Sequence, residues 1–75
     1  MATTSARETY VELLFDKVRE DQYPSGELLD RIEAALTTRA HAEEYLEILV
    51  SKVEDSRYPS HQLLDRIERL ARRVG

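Results

Sequence analysis

Apolar residues recur at helical spacing along most of the chain. In the first such stretch their spacing places them on one face of a helix: Val11, Leu14, Phe15 and Val18. Three later stretches repeat this spacing, and no stretch alternates with a period of two, so we expect no β-strand. The pattern predicts four helices, near residues 5–21, 26–36, 39–55 and 61–73.

The two halves of the chain repeat each other at an offset of 35 residues. Residues 10–36 and 45–71 align without a gap, and 14 of the 27 aligned positions are identical. Our interpretation is a tandem duplicated helical hairpin, with repeat units at about 5–37 and 38–73 of a single domain, 1–75.

Local signals support the predicted helix ends. A small hydroxyl residue precedes each helix and is a good N-cap: Ser5, Ser25, Thr38 and Ser60. Pro24 and Pro59 each follow a tyrosine and disfavour helical backbone at that tyrosine, which ends the first helix of each pair. Pro24 and Leu29 also match a hydrophobic staple around the Ser25 cap, and Pro59 and Leu64 repeat it.

The short connections favour antiparallel neighbours, which predicts an all-α fold in which two helical hairpins form a small four-helix bundle. An open solenoid is the alternative, although two repeats are fewer than solenoids usually need unless chains stack. The repeat also predicts a core, which contains Leu14, Leu29, Ile32, Leu49, Leu64 and Ile67.

The composition narrows the class of protein. The 75 residues leave room for one small domain, and the absence of cysteine excludes a disulfide framework, a zinc finger and thiol chemistry. No apolar run approaches the roughly 18–20 residues that span a bilayer, and residues 1–7 lack the apolar stretch of a signal peptide. We therefore expect a soluble, cytoplasmic protein. The net charge of −4 belongs to residues 1–37, with 4 basic and 8 acidic side chains, whereas residues 38–75 hold 7 of each.

Candidate catalytic and metal-binding groups are few. His41 and His61 begin different helices and are expected at opposite ends of an antiparallel pair, so we interpret them as solvent-facing. No glutamate stands three residues before either histidine, as a di-iron bundle requires. A calcium loop aligned on Gly26 has Ile32 where it needs a bidentate glutamate. With no glycine-rich phosphate loop or catalytic triad either, the sequence predicts no enzyme activity, no cofactor and no metal.

The repeated motif supplies a candidate interaction surface. Its aromatic and charged members are Tyr23, Asp30, Arg31, Tyr58, Asp65 and Arg66. The alternative is that the charges only cover a helix surface and the tyrosines only wrap helix ends. We predict a non-catalytic protein–protein interaction module that self-associates as a homo-oligomer or docks on a larger protein.

A small DNA-binding regulator is the alternative function. The last helix is locally basic and carries Arg66, Arg69, Arg72 and Arg73. The acidic residues elsewhere in the chain repel phosphate, which makes nucleic acid the weaker prediction. A small ligand or a metal held within the bundle is a third hypothesis.

The segments at 23–33 and 58–68, both Tyr-Pro-Ser-x-x-Leu-Leu-Asp-Arg-Ile-Glu, resemble small all-helical proteins of actinobacteria whose function is uncharacterised. The resemblance covers most of residues 10–71. It implies the helical fold, and it implies neither an activity nor a functional residue for this chain.

Overall fold

A computed structural model describes residues 5–58 and 60–74 of the chain. These residues form four helices and no strand: α1 (Ala6–Glu20), α2 (Gly26–Ala35), α3 (Arg39–Glu54) and α4 (His61–Val74). Each end lies within one residue of its predicted position. The all-α fold class is therefore confirmed.

The predicted N-caps begin the helices. In each case the side-chain oxygen of the cap accepts a hydrogen bond from the backbone N–H three residues on, at 3.1 to 3.3 Å, and the caps are Ser5, Ser25, Thr38 and Ser60. Each cap satisfies a backbone donor that has no partner within its helix. The predicted roles of Pro59, in ending the preceding helix and in a staple with Leu64, lie outside the described residues.

The helices pair in chain order. The chain divides into two units, Met1–Leu36 and Thr37–Gly75. The first contains α1 packed against α2, and the second contains α3 packed against α4; we call these pairs the first and the second hairpin. The predicted helical hairpins are therefore confirmed, each as a pair of packed helices. The origin of the two hairpins by duplication stays a prediction.

The buried side chains of the first hairpin follow the predicted apolar stripes. They come from both helices and the residue after α2, and they are Val11, Leu14, Phe15, Val18, Leu29, Ile32, Ala35 and Leu36. Spacings of three and four residues place each helix's set on one face, which is how an amphipathic helix covers its apolar side. The predicted core positions Leu14, Leu29 and Ile32 are confirmed.

The second hairpin buries a different face. Its buried residues are Ala42, Tyr45, Ile48, Leu49, Arg66 and Leu70. The prediction for Leu49 is confirmed, Ile67 is only half-buried, and the prediction for Leu64 is wrong because this side chain is exposed. On α4 the buried face runs through Arg66 and Leu70, and Leu64, two residues before Arg66, lies roughly 160° around the helix from it.

A hydrogen bond between residues distant in the sequence joins the start of α3 to the end of α4. The guanidinium of Arg39, at the start of α3, donates to the backbone carbonyl of Val74, at the end of α4, at 2.6 Å. The same guanidinium pairs with Glu43 one turn along α3, at 2.9 Å. Carbonyl groups in the last turn of a helix have no backbone N–H partner within the helix. Arg39 supplies the donor for one of them, the carbonyl of Val74.

Candidate interaction surface

An incompletely covered apolar face runs along both helices of the second hairpin. Its residues recur every three or four positions on each helix, as residues on one helix face do. They are Leu46, Val50 and Val53 on α3 and Leu64, Ile67 and Ala71 on α4. Val50, Leu64 and Ala71 are exposed, and the other three are half-buried. We call this set the open face. Apolar side chains grouped in this way on two paired helices are typical of a contact surface.

The sequence repeat shows why the open face is apolar. All six members stand 35 residues after a core residue of the first hairpin; Phe15, for example, corresponds to Val50 and Leu29 to Leu64. Leu29 is 1 % exposed, whereas Leu64 is 39 % exposed. Of the eight core positions in the first hairpin, only those of Leu14 and Ala35 have buried equivalents. The second hairpin thus carries the apolar pattern of a core face without covering it.

The first hairpin shows the reverse arrangement. Tyr10 and Leu13 lie one turn apart on α1 and are 41 % and 51 % exposed. Their equivalents in the second hairpin, Tyr45 and Ile48, are 0 % and 7 % exposed. We call Tyr10 and Leu13 the α1 ridge. These two positions of the repeat are therefore exposed in the first hairpin and buried in the second.

A polar cluster borders the α1 ridge. Arg31 on α2 pairs with Glu27 one turn earlier, at 3.4 Å between guanidinium nitrogen and carboxylate oxygen. Hydrogen bonding to the Tyr10 hydroxyl, and then to Glu27, raises the pKa of Arg31 above its ordinary value. A raised pKa means that the folded protein favours the charged guanidinium. The resulting contribution to stability is lost only as the pH rises into the strongly alkaline range. The ridge thus has an ion pair of Arg31 and Glu27 beside it.

Most of the predicted interaction residues are exposed. Tyr23 and Tyr58 lie in the connections within the two hairpins and are 79 % and 82 % exposed, so neither ring wraps a helix end. Asp30, Arg31 and Asp65 are also exposed, on α2 and α4. Their role in recognition stays a prediction.

Arg66 requires a correction. It is only 6 % exposed, so little of its side chain is accessible to a partner, and the duplicated Asp-Arg motif does not present the same patch twice. The reason is its place on α4: Leu70, one turn later, is buried, and residues four apart share a helix face. The equivalent residue, Arg31, lies on the exposed side of α2.

The arginines of α4 lie beside acidic side chains of the same helix. A depression of about 440 Å³ on α4 is lined by side chains of both charge signs: Gln62, Asp65, Arg66, Glu68, Arg69 and Arg72. Within it Arg72 pairs with Glu68 at 2.6 Å, as the spacing predicts. Two carboxylates therefore stand among the three arginines of the depression, and their charge disfavours phosphate.

The described residues contain no group of three histidine, aspartate or glutamate side chains that could hold a metal ion. His61 is exposed as predicted, whereas His41 is half-buried, because it lies one turn before the buried Tyr45 on α3.

None of the described helices combines the length and the apolarity needed to cross a membrane.

The sequence predicts Leu64 and Ile67 of the open face as core residues, although the repeat contains a signal of the difference. From the first copy to the second, Phe15 becomes Val50 and Leu36 becomes Ala71, so volume is lost on the face that is buried in the first hairpin. Ala35 becomes Leu70, which adds volume on the face that the second hairpin buries. Core packing is sensitive to a change of even one methylene group, and each of these changes is larger.

No known protein family, curated protein or solved structure matches the chain. The resemblance to small actinobacterial helical proteins therefore stays a prediction.

Proposed function

We propose that the chain is a non-catalytic helical interaction module that binds a protein through the open face. The observation that carries the proposal is the exposure of Val50, Leu64 and Ala71 at positions whose equivalents form the first hairpin's core. Covering apolar surface is the main favourable term in protein association. A protein partner with an apolar ridge is the natural occupant of such a face.

Aromatic residues add further contact area. Tyr58 in the connection of the second hairpin is 82 % exposed, and tyrosine combines a large apolar ring with a hydroxyl that hydrogen-bonds at an interface. The charged residue next to it, Arg57, is exposed as well. An apolar centre with a polar rim is the usual composition of a protein interface.

The alternative of DNA binding has less support. Arg66 is buried and Arg72 is paired with Glu68, so two of the four arginines of α4 are not free to contact phosphate. The first 37 residues carry an excess of four acidic groups, which disfavours approach to a polyanion.

Site-specific photo-crosslinking in the native host tests the proposal. A benzophenone amino acid at position 64 lies on the open face, and the same amino acid at Gln62 is a matched control. Gln62 is also exposed on α4 but is turned roughly 160° away from Leu64. We expect a discrete protein adduct from position 64 and none from position 62. Equal labelling at both positions, or no protein adduct from position 64, contradicts the proposal.

A further inference from the structure

We infer that the open face binds an amphipathic helix of a partner protein, and that lysine or arginine side chains flank the apolar stripe of this helix. The inference rests on the proposed function and names the chemistry of its partner. Two features of the second hairpin carry it: the two apolar rows of the open face and the acidic residues along their edge.

The two apolar rows lie side by side because α3 and α4 run antiparallel. The hydrogen bond between Arg39 and the Val74 carbonyl joins the start of α3 to the end of α4. Each helix contributes a row of three open-face residues, and each row is about 10 Å long because its last member stands seven positions after its first. A groove between two such rows takes the apolar side of an amphipathic helix in many protein complexes.

An acidic edge borders the row on α3. Glu43, Glu47 and Glu54 are exposed. They lie on the same side of α3 as Val50, since they stand seven and three positions before it and four positions after it. Glu43 pairs with Arg39 at 2.9 Å, whereas Glu47 and Glu54 have no ion-pair partner among the described residues. Two uncompensated carboxylates therefore lie beside the exposed side chain of Val50.

The edge along α4 adds no positive excess. Glu68 stands four positions after Leu64 on the same side of the helix, and its carboxylate pairs with Arg72 at 2.6 Å. The charges of this pair cancel. The carboxylates on α3 therefore set the sign of the charge beside the groove.

The other basic residues of the two helices lie mostly on different sides. Lys52 lies roughly 160° around α3 from Val50, and Arg69 and Arg73 lie roughly 140° and 180° around α4 from Leu64. Residues 38–75 carry 7 charges of each sign, yet the groove is bordered by an excess of negative charge.

This charge decides between the candidate occupants. A helix with lysine or arginine beside its apolar stripe places a positive charge opposite Glu47 and Glu54, which speeds association and favours this partner over others. An acidic occupant brings like charges together, and the first 37 residues of this chain hold 8 acidic against 4 basic side chains. Nucleic acid is repelled in the same way. A basic amphipathic helix is thus the occupant that both the apolar rows and the charges favour.

Fluorescence anisotropy of labelled model peptides, titrated with the full-length protein, tests this inference. The first peptide is an amphipathic helix of about 18 residues, which is long enough for an isolated helix to form. It has leucine in its apolar stripe and lysine on both flanks. A second peptide has glutamate in place of every lysine. A third has the composition of the first in an order that gives no apolar stripe.

Two matched pairs of variants locate the bound peptide. Glu47→Lys reverses a charge at the groove, and Glu12→Lys makes the same change at the equivalent exposed position of the first hairpin. Leu64→Gln removes an apolar contact from the groove, and Leu13→Gln removes an exposed leucine from the α1 ridge. Circular dichroism verifies that each variant is helical.

We expect the lysine peptide to bind the wild type at least about tenfold more tightly than either other peptide, since it alone matches the apolar rows and the charge. Glu47→Lys and Leu64→Gln should each weaken its binding at least about fivefold, and their controls by less than about twofold. If a groove variant loses its helical signal, Glu54→Lys or Val50→Gln replaces it at the same groove.

Equal affinity for the lysine and glutamate peptides overturns the inference. So does the absence of binding, or an equal loss of affinity in a groove variant and its control. Photo-crosslinking from position 64 separates this failure from that of the proposed function. An acidic segment of another protein captured there, or a segment of this chain, overturns the basic helix as the occupant. The absence of any adduct contradicts the proposed function itself.

Discussion

Tyr45 is buried on α3, whereas Tyr10, the tyrosine 35 residues earlier at the same place of the sequence repeat, is exposed on α1. The two residues have similar neighbours in sequence and different surroundings in space. Burial therefore follows from which side of each helix is covered, and not from the local sequence alone.

The first prediction follows from this pair of tyrosines. We expect Tyr45→Ala to lower the free energy of unfolding by about 3–5 kcal/mol, because it removes a large buried side chain and leaves a cavity. Tyr10→Ala should change it by less than about 1 kcal/mol. Urea titration followed by circular dichroism measures both. Equal losses in the two variants would show that Tyr10 is as well packed as Tyr45.

The second prediction compares two leucines of the second hairpin that the sequence places together in the core. Leu49 is fully buried and Leu64 is exposed. We expect Leu49→Ala to cost about 2–5 kcal/mol of unfolding free energy and Leu64→Ala less than about 1 kcal/mol. Both are measured by urea titration at the same protein concentration. A larger loss for Leu64→Ala would contradict the orientation of α4.

The third prediction concerns the start of α2. The hydroxyl of Ser25 accepts a hydrogen bond from the Leu28 N–H at 3.1 Å, so Ser25→Ala should destabilise the protein by about 1 kcal/mol. Ser51 is exposed inside α3, where alanine is the better helix former, and Ser51→Ala should be neutral or slightly stabilising. The melting temperature of Ser25→Ala should therefore fall. That of Ser51→Ala should stay the same or rise slightly.

The fourth prediction concerns the hydrogen bond between Arg39 and the Val74 carbonyl. Since the Arg39 side chain is largely exposed, Arg39→Gln should leave global stability within about 0.5 kcal/mol of the wild type. Amide hydrogens in the last turn of α4 should exchange faster, because that turn loses a tether. Arg57→Gln, in the connection after α3, is the control and should leave this exchange unchanged. Unaltered exchange in Arg39→Gln would show that the hydrogen bond does not hold the helix end.

The sequence alone determined the local structure. Apolar spacing, N-caps such as Ser25 and Thr38, and the proline after Tyr23 act within a few residues, so the helix ends are readable to within one residue. The core of the first hairpin is equally readable, because α1 and α2 each have one dominant apolar stripe that includes Phe15 and Leu29.

Only the tertiary structure decided which face the second hairpin covers. Its helices have apolar residues on two faces, and a periodic pattern cannot choose between Ile48 and Val50 or between Leu70 and Leu64. The choice depends on how well large side chains such as Tyr45 and Leu70 fit against the rest of the core. This fit involves residues that are distant from each other in the sequence. For the same reason Arg66 belongs by sequence to a repeated surface motif, yet it lies on the side of α4 that is buried.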